Sequence, residues 1–263
     1  MANTHLCFKH SANATLSILL TALLLSHGLP ATPQNPPAEK PGTTTQGKPQ
    51  TGKTSVKPGI NKRFLSKTLN VKKFEKTFET ESREVFAHRH RIAKHLGIQQ
   101  GMTIADIGAG TGLFMDLFSK AVGSNGLLFA VDISPKFIDH LSKRAAKKNL
   151  SQVLPIQCTG TSTRLPTASV DIAFTCDTYH HFEHPGTTLA SIKDAIRPGG
   201  QLIIVDFERI PGVSRKFIMG HVRCGKQKVI EEILQAGFVY QDEVKVKGLK
   251  ENYLIRFRRP GNK

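Results

Sequence analysis

Glycines and carboxylates within residues 104–132 carry the clearest chemistry of the sequence. The apolar segment Ile104–Ile107 runs into a turn that contains Gly108, Gly110 and Gly112, and twenty residues later a second apolar segment ends in Asp132. Glycine adopts positive φ and lets a ligand approach the backbone without meeting a Cβ. A carboxylate at the end of the neighbouring strand can accept both hydroxyls of a ribose. The segment therefore predicts a nucleotide-type ligand across the carboxyl ends of two parallel strands.

The glycine spacing distinguishes between nucleotide ligands. Dinucleotide-binding turns follow G-x-G-x-x-G, which would place a glycine at position 113, where this chain has Leu113. Here Asp106 precedes the first glycine by two residues. A carboxylate would repel a pyrophosphate, which binds bare N–H groups at a helix N-terminus. It would attract a ligand that carries an ammonium and a sulfonium group.

This acid-x-G-x-G-x-G turn resembles the first motif of the class I S-adenosylmethionine-dependent methyltransferases. The resemblance spans about residues 72–258. Within this span, Val170–Asp177 is similar to their fourth-strand motif, and Arg197–Leu202 is similar to the turn before their fifth strand. It implies an α/β fold, with a doubly wound, mostly parallel, Rossmann-like sheet of seven strands and an antiparallel C-terminal edge strand. It also implies that S-adenosyl-L-methionine is the cofactor and that these residues bind it: Asp106, Gly108, Ala109, Gly110, Gly112, Asp132, Ile133, Thr159, Gly160 and Asp177.

Two finer resemblances concern the second half of the chain. The segment Asp177–Phe182 is similar to one in small-molecule methyltransferases of the quinone-methylating type. A closer similarity, to uncharacterised bacterial methyltransferase type 11-like proteins of an exported branch, rests on Arg83–Phe86, Tyr179–Phe182 and His221–Arg223. This resemblance implies a fold and a cofactor but no substrate.

The chain departs from the superfamily after the third strand. Many relatives place an acid there that accepts from the adenine amine, whereas this chain has Cys158–Thr161 without a carboxylate. Backbone N–H groups of Thr159 or Gly160 can still meet the adenine edge. Losing one hydrogen bond costs about 0.5–1.5 kcal/mol, or roughly threefold to tenfold in affinity. We therefore expect a weakened cofactor site that still binds.

Candidate catalytic residues follow from the activated methyl group of the cofactor. The protein chiefly needs to align a nucleophile with the S–CH3 bond and to exclude water, and a base is needed only if the acceptor loses a proton. His180 and His181 are the candidate proton acceptors, because imidazole titrates near neutrality, and Tyr179 is the candidate for orienting the acceptor. The alternative for each histidine is inward packing at a helix start.

Further candidates lie outside these motifs. His221 and Arg223, in the loop after the fifth strand, are expected on the acceptor side. The segment His88–Arg91 offers a cationic helix face that either meets the cofactor carboxylate or an anionic substrate, or is a solvated surface.

The sequence predicts no metal site. Three histidines fall within His180–His184, but no second cluster matches them apart from His88 and His90, and no CxxC pair occurs. Cys158 and Cys176 close predicted inner strands, where a free thiol behaves as a small hydrophobe.

The N-terminal part of the chain predicts export. A basic start, the apolar run Ala14–Leu25 and the small residues after it are typical of a secretory signal over residues 1–30. The run is short for a membrane span of ~20 residues, although an uncleaved anchor remains the alternative. A cytoplasmic location is the other alternative, because the cofactor is made in the cytosol. Residues 31–60 are Pro-, Thr- and Lys-rich and predict a disordered linker before a methyltransferase domain over residues 61–263.

The charge of the chain is the other compositional outlier, at +17. Residues 1–75 contain ten Lys and Arg against two acids. We expect this basic tail to associate with an anionic membrane surface. Nucleic acid is a less favoured partner, because aromatic residues do not alternate with basic ones as a stacking platform requires.

Hydrophobic periodicity predicts alternating strands and helices, and therefore a parallel sheet. A leading helix is expected over 72–96, and the last two strands are close enough to form a hairpin. The predicted strands are 103–107, 127–131, 153–157, 170–175, 201–207, 239–246 and 252–258, and the later helices are 112–122, 135–149, 186–196 and 226–236.

The sequence as a whole predicts methyl transfer from S-adenosylmethionine to a small-molecule or lipid-like acceptor by in-line displacement. Two alternatives remain open. One is a degenerate cofactor-binding domain on an exported scaffold, and the other is a protein or nucleic-acid methyltransferase.

Overall fold

The computed structural model of the protein describes residues 54–261. The signal or anchor predicted for residues 1–30 and most of the linker lie outside these residues. Residues 54–60, the end of the predicted linker, form turns. The Val56 N–H donates to the Glu183 carbonyl at 2.8 Å and the Lys57 ammonium to the His221 carbonyl at 2.6 Å. The predicted disorder does not extend to these seven residues, because they contact the domain.

Seven strands form one sheet, in the order β3-β2-β1-β4-β5-β7-β6. They are β1 (Thr103–Ile107), β2 (Leu127–Asp132), β3 (Val153–Gln157), β4 (Val170–Cys176), β5 (Ile196–Phe207), β6 (Val239–Val244) and β7 (Asn252–Arg258). Strands β1 to β5 are parallel, and β7 is antiparallel to both β5 and β6. The predicted mostly parallel fold with antiparallel pairing at its C-terminal edge is confirmed. From β1 the chain continues outward to β2 and β3, and from β4 it continues outward to β5 on the other side. This reversal of direction between β1 and β4 leaves a crevice at their carboxyl ends.

The helices beyond β1 pack on both faces of the sheet. They are α4 (Met115–Val122), α5 (Pro135–Lys147), α6 (Pro185–Ala195), α7 (Lys216–His221) and α8 (Lys226–Gln235). Helix α7 occupies a segment that was expected to be a loop. No helix among residues 54–261 combines the length and apolar character that crossing a membrane requires.

The predicted leading helix is broken into three short helices. They are α1 (Val71–Phe78), α2 (Glu84–Ala87) and α3 (Arg89–Lys94). The chain leaves the helix between α1 and α2 because the side chains there have partners elsewhere. Glu79 accepts a hydrogen bond from the Thr111 hydroxyl at 2.7 Å, and Arg83 pairs with Asp177. The break brings this segment against the carboxyl ends of the strands.

Strand β5 begins earlier than the sequence indicated. The expected turn Arg197–Gly200 lies inside the strand, where the pairing with β4 shifts register between Val170 and Ile172. Gly199 has φ +81°, and a Cβ at Gly200 would lie 2.6 Å from Ile196 Cγ2. The two glycines therefore permit an irregular start to the strand.

Two apolar layers fill the spaces above and below the sheet. Successive residues of β1 alternate between them, with Ile104 in one layer and Ala105 and Ile107 in the other. The first layer contains a compact aromatic group in which the rings of Phe114 and Phe118 lie 5.0 and 5.2 Å from that of Phe174.

We expect Phe174→Ala to lower the free energy of unfolding by about 3–5 kcal/mol, because it leaves a cavity in this packed group. Leu154→Ala, at a side chain that is 44% exposed, is the matched control and should cost less than about 1 kcal/mol. Urea unfolding followed by circular dichroism measures both. Equal losses in the two variants would contradict this description of the core.

Candidate functional site

A cavity of about 710 Å³ opens at the carboxyl ends of the parallel strands. Its volume lies in the usual range of small-molecule sites, ~300–1,000 Å³. Four loops line it, and they follow β1, β2, β3 and β4 respectively. The segments are Gly108–Thr111, Asp132 with Ile133, Cys158–Gly160 and, after β4, Cys176–Thr178 with His180–Phe182. Of the ten residues that were expected to bind the cofactor, all but Asp106 and Gly112 line this cavity.

The turn after β1 is held against the end of β2. The N–H groups of Gly108 and Ala109 donate to the Val131 carbonyl at 2.8 and 3.0 Å. Gly108 has φ +79°, and a Cβ there would lie 2.2 Å from the Thr178 side chain. Glycine is therefore required at 108 by the protein's own packing. Gly112 was expected to bind cofactor but does not line the cavity, because it packs against Leu141 of α5.

Asp132 lies at the end of β2 and lines the cavity. Its Oδ2 accepts from the Gly110 N–H at 2.9 Å and its Oδ1 from the Ser134 N–H at 2.8 Å. Burial raises the pKa of this carboxyl to about 6, although both hydrogen bonds lower it. Each oxygen retains a lone pair, so the group can accept hydroxyl hydrogens from a ligand.

Asp106 was expected to contact the cofactor, but it is not among the residues that line the cavity. It is 3% exposed, and no donor in the described chain hydrogen-bonds to its carboxyl. Strand alternation places it on the face of the sheet that Ile104 occupies. Burial, and then the charge of Asp132, raise the pKa of Asp106 to about 7. A cation bound nearby would favour its ionised form.

The loop after β3 offers fewer donors than expected. The Thr159 N–H donates to the Ser162 carbonyl at 2.9 Å, so it is not available to an adenine ring. Gly160 lines the cavity, and its N–H has no backbone acceptor among the described residues. Burial raises the pKa of the neighbouring Cys158 thiol to about 12, so this cysteine is neutral.

Asp177 lines the cavity as expected and is clamped from two sides. It pairs with Arg83, and its Oδ1 accepts from Asn252 Nδ2 at 2.6 Å. Its φ is +48°, a conformation that few residues other than glycine adopt. Burial raises the pKa of this carboxyl to about 6, against the effect of Arg83. No spacing in the sequence indicated the roles of Arg83 and Asn252.

A cluster of three histidines occupies the far side of the cavity. His180 is buried, with its Nδ1 2.7 Å from Asp206 Oδ1 and its N–H donating to Asp206 Oδ2 at 3.0 Å. His181 Nε2 and His221 Nε2 are 3.3 Å apart. Burial, followed by the nearby His180, lowers the pKa of His181 to about 2 and that of His221 to about 4. Both rings are therefore neutral at neutral pH.

The expected acceptor-side position of His221 agrees with the cavity lining, and Asp206 is a residue that the sequence analysis missed. Asp206 ends an apolar run in β5, Leu202–Val205. Because the carboxyl ends of parallel strands share one edge, an acid at that place was a usable signal.

Tyr179 and Arg223 do not line the cavity, although both were candidates. Tyr179 is fully buried and its hydroxyl donates to Glu232 Oε2 at 2.8 Å. Arg223 pairs with the same carboxylate at 2.6 Å and lies over the Tyr179 ring at 5.2 Å. The 3-10 turn over 179–181 directs the tyrosine into the core and the two histidines toward the cavity.

Aromatic residues of the covering segment, residues 61–78, and Phe137 of α5 line the cavity. Phe64 and Phe137 have ring centroids 5.6 and 5.5 Å from that of Phe74, and Phe64 meets His181 edge-on at 5.1 Å. The cationic segment His88–Arg91 lies elsewhere, since none of its residues lines the cavity. This segment lies at α3, which the breaks in the predicted leading helix separate from α1.

Comparison with known proteins agrees with this geometry. Residues 105–204, from β1 into β5, match the family model described as a methyltransferase domain. A ubiquinone/menaquinone biosynthesis C-methyltransferase of Bordetella avium is 25% identical over 127 residues, 46% of this chain and 49% of that protein. A tRNA U34 carboxymethyltransferase of Desulfotalea psychrophila is 32% identical over 126 residues, 46% of this chain and 37% of that protein. The chain thus spans about half the length, or less, of these curated relatives.

A solved structure shares the fold. The SAM-dependent methyltransferase from Aquifex aeolicus superposes with a TM-score of 0.63 at 23% identity, over 72% of this chain and 98% of that one. The domain match, the relatives and this fold together support the class I S-adenosylmethionine-dependent methyltransferase superfamily.

The raised pKa of Asp106 predicts a pH-dependent stability. Between pH 3.8 and about 7, the folded protein retains a proton that the unfolded chain has lost, so stability falls as the pH rises through this window. Asp106→Asn removes the charge. We expect it to raise the free energy of unfolding by about 2–4 kcal/mol at pH 8 relative to wild type, and by much less at pH 4.

Urea unfolding at a series of pH values measures this difference. Asp139→Asn, at an exposed carboxyl on α5, is the control and should leave the wild-type pH dependence unchanged. If the Asp106 variant keeps the wild-type slope between pH 4 and 8, Asp106 does not carry the buried proton.

Proposed function

We propose that the protein transfers a methyl group from S-adenosylmethionine to a small-molecule or lipid-like acceptor. One observation carries the proposal. The glycine turn at Gly108, the Asp132 carboxylate and the Asp206-bound His180 all lie on a single cavity. A nucleoside site and a polar acceptor site are thus adjacent.

The residues at the β1 and β2 end fit this cofactor. Asp132 would hold the ribose hydroxyls and the backbone from Gly108 to Gly110 would support the nucleoside. The pKa values of Asp106, Asp132 and Asp177 are all raised by burial. A cationic ligand stabilises the ionised forms of such groups, and this cofactor carries an ammonium and a sulfonium charge. Asp177 would be placed near its amino-acid end.

When bound, the cofactor supplies a methyl group that the sulfonium already activates. The chain's own residues then need to hold the acceptor in line and exclude water. The covering segment, residues 61–78, would exclude water. Asn61 Nδ2 donates to the His181 carbonyl at 3.0 Å, and Phe64 packs on the His181 ring. These contacts join the segment to the acceptor side of the cavity.

The acceptor side combines aromatic walls with a few polar atoms. Phe207 and Phe217 line it, with the Phe217 ring stacked on His221 at 5.1 Å. The bond between His180 Nδ1 and Asp206 occupies Nδ1 and leaves Nε2 as the ring nitrogen that can contact a ligand. We assign to Nε2 the role of orienting an acceptor hydroxyl. Apolar walls with one such atom favour a small apolar or lipid-like acceptor.

Cofactor binding is the first test. Isothermal titration calorimetry with S-adenosylhomocysteine should give saturable heat with one site per chain. Asp132→Asn should weaken the affinity by about tenfold or more, because it removes charge-assisted hydrogen bonds to the ribose. Asp139→Asn should bind as the wild type does. No saturable heat with the folded wild-type protein would favour the degenerate-domain alternative and contradict the proposal.

The acceptor class has a separate test. The protein is incubated with labelled S-adenosylmethionine and a fractionated extract of the source cell, and the labelled species is identified. We expect label in the small-molecule or lipid fraction. Label in protein or nucleic acid would overturn the proposed acceptor class while leaving the cofactor assignment intact.

A further inference from the structure

Three imidazoles meet at one point of the cavity wall, where the sequence analysis predicted no metal. One ring nitrogen from each of His180, His181 and His221 lies within 4.8 Å of the other two. We propose that these histidines bind a divalent transition-metal ion, with zinc preferred. The site is defined by geometry alone, and only its role in catalysis rests on the proposed function.

The spacing between two of the nitrogens matches a shared metal. His181 Nε2 and His221 Nε2 are 3.3 Å apart. Two nitrogens bound to one tetrahedral zinc at ~2.0–2.1 Å are about 3.3–3.4 Å from each other. Without a metal, the same distance is a hydrogen bond in which one ring donates to the other. The two arrangements require only small movements to interconvert.

The surroundings of the cluster resemble the outer shell of a metal site. A metal-binding imidazole usually donates its other N–H to a carboxylate, as His180 Nδ1 does to Asp206 at 2.7 Å. The Nδ1 of His181 is buried and has no hydrogen-bond partner within the described chain. Because His181 Nε2 is the nitrogen that lies 3.3 Å from His221 Nε2, Nδ1 is not the metal ligand, and a water is the partner that it would need.

The backbone at the three histidines is held in place by contacts from separate parts of the chain. The His181 carbonyl accepts from Asn61 Nδ2 at 3.0 Å, and the His221 carbonyl accepts from Lys57 Nζ at 2.6 Å. The His180 N–H donates to Asp206. Binding a metal therefore requires little ordering of the backbone, which is the condition for a preorganised site.

The donor set restricts the metal. Neutral imidazoles suit zinc, copper, iron and nickel, whereas magnesium and calcium prefer oxygen. Lys57 and Arg63 are close enough to lower the pKa of His181 and His221, so their charges oppose a cation and Asp206 offsets part of that effect. Three protein ligands leave a fourth position toward the cavity, as in catalytic zinc sites. With the ion bound, His180 Nε2 ligates it, and an oxygen of the methyl acceptor would be held at this fourth position instead of by Nε2 directly.

Titration of the full chain, free of any affinity tag, with Co²⁺ tests the site without measuring activity. We expect one Co²⁺ per chain, with the visible absorption of a four-coordinate nitrogen and oxygen site and no thiolate charge-transfer band. Zn²⁺ should displace it. Absence of saturable binding of both Co²⁺ and Zn²⁺ would overturn the proposal.

Variants then assign the ligands. His181→Ala and His221→Ala should each weaken Co²⁺ binding by at least about tenfold, and Asp206→Asn by about 10–100-fold through the orientation of His180. His90→Ala, at an exposed histidine, is the matched control and should bind as the wild type does. Wild-type affinity in both His181→Ala and His221→Ala would place the metal elsewhere and overturn the assignment.

Calorimetry with S-adenosylhomocysteine on the same samples checks that each variant is folded and separates the two proposals. Loss of Co²⁺ binding with unchanged binding of S-adenosylhomocysteine in the histidine variants is the expected result. A wild-type protein that binds S-adenosylhomocysteine but no metal contradicts the metal site alone. One that binds metal but no S-adenosylhomocysteine contradicts the proposed function alone.

Discussion

Buried carboxyls at the carboxyl ends of β1, β2 and β4 are the constraint on which the site depends. An ionised carboxylate away from water is costly unless it is paired or hydrogen-bonded. The protein offsets part of this cost at Asp132 with two backbone N–H groups, and at Asp177 with Arg83 and Asn252. Asp106 has no such partner among residues 54–261, and burial raises its pKa to about 7. This region is therefore best stabilised by a ligand that brings positive charge.

The opposite side of the cavity is lined by three imidazoles instead of buried carboxyls. His181 and His221 are kept neutral by burial, and His180 is oriented by Asp206. Neutral imidazoles can hold an acceptor hydroxyl or a metal ion without adding negative charge beside the cofactor site. Phe64 packs against His181 on this side, and Phe217 of α7 packs against His221. A charged half and an apolar half thus meet in a single cavity.

The sequence predicted much of the fold but only part of the site. Strands β1 to β4 lie within one residue of their predicted limits, because apolar runs bounded by glycine, proline and acids are local signals. The break between α1 and α2 was missed, since it depends on Glu79 and Arg83 finding partners far along the chain. His180, Asp206 and His221 come together only through the pairing of β4 with β5 and the position of α7. The acid at the end of β5 was a local signal in the sequence, but no spacing shows which side chains it contacts.

The central claim is that a sulfonium nucleoside binds over the ends of β1 and β2. A crystal structure of the protein with S-adenosylhomocysteine, the demethylated form of that nucleoside, tests it most directly. We expect electron density against the turn from Gly108 to Gly110, with both ribose hydroxyls within hydrogen-bond distance of the Asp132 carboxylate. Density for the nucleoside at another place, or a cavity that holds only solvent at saturating ligand, would contradict the account.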